Sequence, residues 1–96
     1  MKGPMYEAVE FVEVWGRVGG TPAVARPRVL GLFETQVAAA EAARSARAEF
    51  RRGGRRDFAW WVVRAEGSPL AEWIADAHSD KEFVLDLLSG ELVEVT

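Results

Sequence analysis

The chain is a series of short apolar segments with strand-like composition, interrupted by one long segment whose apolar residues recur at helical spacing. Tyr6 to Trp15 reads Y-E-A-V-E-F-V-E-V-W. It is rich in β-branched and aromatic residues with Glu7, Glu10 and Glu13 interspersed, and predicts a strand with one wetter face. Gly16, Gly19, Gly20, Pro22 and Pro27 mark 16–27 as a flexible loop, since glycine frees the backbone and proline removes a donor. Arg28 to Phe33 predicts a second strand. Thr35 stands at an N-cap position, strong helix formers run from Gln36 to about Arg52, and Gly53-Gly54 is a natural stop. At about 100° per residue, Ala39, Ala42, Ala43, Ala46 and Phe50 share one helix face. Glu41, Arg44, Arg47, Arg51 and Arg52 lie on the other. An alanine stripe lets a helix approach a sheet closely, so the bulk at that interface must come from the sheet.

The next segment supplies bulk. Asp57 to Glu66 places Phe58, Trp60 and Val62 on one face and Ala59, Trp61 and Val63 on the other, the pattern of a central strand buried on both sides. Glu66-Gly67-Ser68-Pro69 predicts a turn. Leu70 to Ala77, with Trp73 and Ile74, reads as a returning strand, and a short helix also fits it. Lys81 to Leu88 and Glu91 to Val95 flank Ser89-Gly90, the two-residue loop of a tight antiparallel hairpin. The expected fold is therefore α+β: one domain over 1–96, ordered β-β-α-β-β-β-β, with a predominantly antiparallel sheet of about six strands. One long helix packs on one face. A helix of about five turns spans three or four strands at about 4.8 Å each. Some sheet surface should therefore stay uncovered, to be closed by curling of the sheet, by a second copy or by another protein.

Bulk composition fits this picture. The chain has 96 residues, of which 49% are hydrophobic and 28% charged, as in an ordinary folded domain. It has no cysteine, which excludes disulfides, thiol catalysis and cysteine-ligated metals. No apolar stretch is long enough for a signal peptide or a membrane span, so a cytoplasmic location is expected. The net charge of −3 conceals an asymmetry. Residues 1–16 carry −2, residues 17–64 carry +6 through ten arginines against four acids, and residues 65–96 carry −7 through Lys81 against eight acids. The two large blocks either neutralise each other within the fold or form separate basic and acidic faces.

Candidate chemistry is sparse. Arg44, Arg47, Arg51, Arg52, Arg55 and Arg56 gather six of the twelve basic residues on a helix face and in the basic loop 51–56 read after the helix. Arginine's planar donors suit phosphates, and the intervening glycines would let backbone approach an anion. Cations at a helix C-terminus also offset its macrodipole, and the acidic net charge favours a solvated or ion-paired role. Trp60, Trp61 and Trp73 could stack on bases. Adjacent tryptophans point to opposite faces of a strand, however, so these residues are read first as core or interface aromatics. Asp76, His78 and Asp80 alternate in a way that could hold a cation on a continued strand. One histidine and a turn near Ser79-Asp80 argue instead for a solvated hairpin end, and no metal or cofactor is expected. No nucleophile elbow, phosphate loop or dinucleotide fingerprint is present, so no catalytic residue is assigned.

Gly31-Leu32-Phe33, Ala39 to Arg47 and Trp61-Val62-Val63 together resemble small noncatalytic subunits of bacterial phenylacetyl-CoA epoxidase complexes. The resemblance covers about a third of the chain through common residue types, and implies an accessory-subunit role. The surplus strand surface points the same way, to a small noncatalytic interaction module that meets a protein partner or a second copy of itself. A nucleic-acid or phosphate-ligand binder using the arginine cluster is the alternative.

Overall fold

The computed structural model describes residues 3–14, 24–54 and 57–95. It has the α+β architecture expected: β1 (Tyr6–Val14), β2 (Val24–Phe33), α1 (Gln36–Arg52), β3 (Ala59–Ala65), β4 (Ala71–Asp76), β5 (Glu82–Leu85) and β6 (Leu92–Glu94). The strands form one antiparallel sheet in the order β2-β1-β3-β4-β5-β6. Chain neighbours pair everywhere except at β3, which joins β1 after the chain has crossed the sheet through α1. No described helix is long and apolar enough to cross a membrane.

The helix begins where its cap dictates. Thr35 is extended, and its hydroxyl accepts from the Ala38 N–H at 3.1 Å, satisfying one of the free donors of the first turn. At the other end the Gly53 N–H donates to the Glu49 carbonyl, and Gly54 turns the chain at φ 66°, a conformation that costs most side chains about 1 kcal/mol or more.

One face of the sheet is built to receive this helix. Ala8 lies opposite Val63, Glu10 opposite Trp61 and Val12 opposite Ala59, while Trp61 and Val63 in turn face Ala75 and Trp73. Apart from Glu10, these residues make the core with Ala39, Ala40, Ala43 and Phe50 of α1. Small side chains on the helix meet two tryptophans on the sheet, and Phe50 meets Trp61 edge to face with ring centroids 5.6 Å apart. The expected source of bulk is thus half right. Trp61 and Val63 fill the interface, but Phe58, Trp60 and Val62 point to the opposite face, and Trp73 takes their place.

Several boundaries differ from expectation for identifiable reasons. β2 starts at Val24, so 24–27 of the expected 16–27 loop are strand, and 15–23 lie outside the described residues. Pro27 is accommodated because β2 is an edge strand, with a partner on one side only. Arg51 and Arg52 belong to the last helical turn rather than to a loop, and Arg55 and Arg56 lie outside the described residues. Leu70 to Ala77 is strand, not helix, over Ala71–Asp76. The final hairpin has a loop longer than the two residues expected. Asp86 N–H donates to the Glu91 carbonyl, the Asp86 carboxylate caps the Leu88 N–H, and Gly90 at φ 75° closes back on the Asp86 carbonyl. Leu87 and Leu88 are left exposed at its tip.

Candidate functional site

Three arginines of the predicted basic patch, Arg44, Arg47 and Arg51, have their donors engaged within the fold. Arg44 grips the Glu82 carboxylate with two bonds of 2.7 Å, and Arg47 adds a third at 3.3 Å. Trp73 Nε1–H donates to the same carboxylate at 3.3 Å, and the Arg44 guanidinium lies over the Trp73 ring, 5.6 Å from its centroid. The Glu82 carboxyl is held below its ordinary range, chiefly by the Arg44 hydrogen bonds, with burial opposing. Arg51 donates to the Ala77 and Ser79 carbonyls and pairs with Asp80 at 2.9 Å. Arg44, Arg47 and Arg51 therefore pin the flank of α1 to β5 and to the turn before it. Arg52 is exposed at the helix end, apart from this cluster. In part, then, the basic and acidic blocks neutralise each other inside the fold.

A second buried carboxylate was not foreseen. Glu10 reads by composition as part of the wetter face of β1, but a spacing of three along a strand puts it on the face opposite Glu7 and Glu13. It is 8% exposed beneath α1, accepting from Trp61 Nε1–H at 3.0 Å and pairing with Arg28 at 3.1 Å. Among the described residues no buried side-chain polar atom lacks a partner, so neither Glu10 nor Glu82 stands as an unpaired catalytic carboxylate.

Asp76, His78 and Asp80 do not align on a continued strand, the arrangement a cation site would have needed. β4 ends at Asp76, whose carboxylate caps the His78 N–H at 2.8 Å, while Asp80 is turned to Arg51. His78 is exposed, with its ring 5.9 Å from that of Phe58. Among the described residues no group of acids and histidine is placed to hold a metal.

What remains is the sheet face turned away from α1. Register places Val9 beside Val62 and Val29, Phe11 beside Trp60 and Pro27, and Ile74 between Val62 and Phe83. These are the residues whose strand neighbours enter the core, so alternation alone sends them outward. The Phe11 and Trp60 rings stack at 5.3 Å and 10°, and Phe58 tilts against Trp60 at 5.7 Å. Val9 and Val62 are buried with no described helix above them, so these larger neighbours close over them. Across the strands runs an open groove of about 560 Å³, lined by Phe58, Trp60, Ile74, Ala75, Phe83 and Leu92 with the carboxylates Glu13 and Asp76. Phe58 and Leu92 are 43% and 42% exposed there, an amount of apolar surface in one place that singly scattered residues do not give.

The three tryptophans singled out by sequence thus separate. Trp61 and Trp73 are core, and Trp60 belongs to the groove. The groove residues that sequence reasoning did not single out are Glu13, Ile74, Ala75, Phe83 and Leu92, and it also missed Phe11, which stacks on Trp60. Except for the core residue Ala75, their signal was strand parity relative to the buried set, which needs the pairing register to be read. Comparison with known protein families, with characterised proteins and with solved structures finds no match.

Proposed function

We propose that the protein is a noncatalytic interaction module that meets a protein partner through the sheet face opposite α1, as an accessory subunit or as one half of a self-association. The observation that carries this reading is the groove itself, an aromatic and aliphatic bed floored by Trp60 and Ile74 on a face that no described element of the fold covers. Buried cores of protein interfaces are enriched in aromatic residues and poor in charge, and this bed has that composition. The arginine cluster lends little to a phosphate-binding alternative, since Arg44, Arg47 and Arg51 already direct their donors to Glu82, Asp80 and backbone carbonyls.

The test is association state measured against a groove variant. Light scattering with mass determination, on the chain alone and on complexes fixed by crosslinking in cells, should return a species heavier than the monomer. Phe83→Asp should lose that species while keeping its far-ultraviolet circular dichroism. A strict monomer under both conditions, or an assembly indifferent to Phe83→Asp, contradicts the reading.

A further inference from the structure

Resting on that reading, we infer that the occupant of the groove is a segment of a different protein that carries apolar side chains flanked by lysine or arginine, and not a second copy of this chain. Charge separates the two occupants. The apolar bed is bordered by Glu13 and Asp76, and among the described residues neither forms an ion pair. Glu94 lies opposite Phe83 in register and so shares this face. Arg64, which continues the outward set of β3, is already tied to Glu7 at 2.6 Å. Among the described residues Arg28, Arg44, Arg47 and Arg51 instead lie on the helix side.

A face-to-face pair of copies would bring two such acidic borders together across a desolvated apolar contact, where like charges are costly. Packing the basic helix side of one copy on the groove of the next is a heterologous contact, which builds a ring or an open filament and never a simple pair. A foreign segment with cations beside apolar side chains avoids both problems. Glu13 and Asp76 stand on β1 and β4, two strand spacings apart, and Glu13 lies two residues beyond Phe11, which is level with Trp60 and Asp76, so the two are about 12 Å apart. The matching extended segment therefore has two cations about four residues apart, with the residue that enters the bed over Trp60 midway between them on the same face. The groove is open along its length rather than enclosed, whereas pockets for small ligands surround most of the ligand surface. A polypeptide fits this shape better than a metabolite.

The experiment titrates the full chain with short peptides that carry lysine, leucine and lysine at every second residue over a serine background, with matched glutamate-leucine and lysine-serine peptides, and follows tryptophan emission and peptide anisotropy. The leucine-lysine peptide should bind and weaken with added salt. The doubly neutralised chain, Glu13→Gln with Asp76→Asn, should bind it on the order of tenfold less tightly. Both changes preserve shape, and Asp76→Asn keeps a side-chain oxygen able to cap the His78 N–H, so a melting curve should show the variant folded. Equal binding of the leucine-glutamate peptide, or binding unaffected by the double change, overturns the charge argument and leaves the groove as an interface. Absence of peptide binding together with a dimer that Phe83→Asp dissociates overturns the foreign occupant and keeps the interaction module. Absence of binding by a strict monomer overturns both.

Discussion

Trp60 and Trp61 are adjacent in sequence and should differ widely in what they contribute to stability, because alternation puts one in the core and the other in the groove. Trp61 is fully buried, packs edge-on against Phe50 and donates to Glu10. Replacing it by alanine removes that packing, leaves a cavity under α1 and strips Glu10 of one partner, for a loss of about 3–5 kcal/mol. A domain of this length has in total roughly 5–14 kcal/mol, so Trp61→Ala should remove between about a fifth and all of its stability. Its melting temperature should fall by more than about 12 °C, at 4–8 °C per kcal/mol. Trp60 is half-buried and loses in the same substitution mainly its stacking on Phe11 and its contact with Phe58. That amounts to about 1–2 kcal/mol. Urea unfolding followed by far-ultraviolet circular dichroism measures both variants without relying on tryptophan emission, provided the slopes stay equal. Losses of equal size would refute the assignment of one covered and one open face.

Three further outcomes follow from the buried polar contacts and the helix cap. Glu10→Leu should cost about 1–3 kcal/mol, since it leaves the Trp61 N–H buried without an acceptor, while Glu10→Gln keeps an acceptor and should cost less; urea midpoints rank the two. Glu82 has a folded pKa below its ordinary value of 4.5, so it binds a proton more readily when unfolded. It contributes stability above that value, and the contribution is lost as pH falls through the lower folded pKa. Unfolding measured between pH 7 and about pH 3 should therefore show an acid loss that Glu82→Gln diminishes. Thr35→Ala removes the acceptor for the Ala38 N–H and should lower stability by about 1 kcal/mol, read from thermal melts, with Thr35→Ser close to wild type.

Much of the fold was legible because it rests on local chemistry. Thr35 and the Gly53-Gly54 pair bound the helix as read from sequence, and the double apolar face of 57–66 identified the strand that sits third in the sheet, between β1 and β4. The uncovered face followed from counting one helix against six strands. What was not legible depends on register between distant segments. Glu10 is buried because Trp61 and Arg28, 51 and 18 residues away, converge on it. Arg47 is 12% exposed at its side chain, not solvated, because Glu82 on β5 lies beneath it. The longer final hairpin depends on the Asp86 side chain capping Leu88, a competitor to the two-residue turn that Ser89-Gly90 suggests. Phe83 and Leu92 became groove residues only once β5 and β6 were placed beside β4, and no local pattern sets that placement.

The central claim is that the face opposite α1 is where this protein meets its partner, and oxidative footprinting tests it most directly. The purified chain is compared with the chain recovered in the complex it forms in its own cells. Phe58, Trp60 and Phe83 should be oxidised readily in the isolated chain and protected in the complex, with Val37 and the exposed end of α1 unchanged. Protection of the helix side, or a groove equally reactive in both samples, would contradict it.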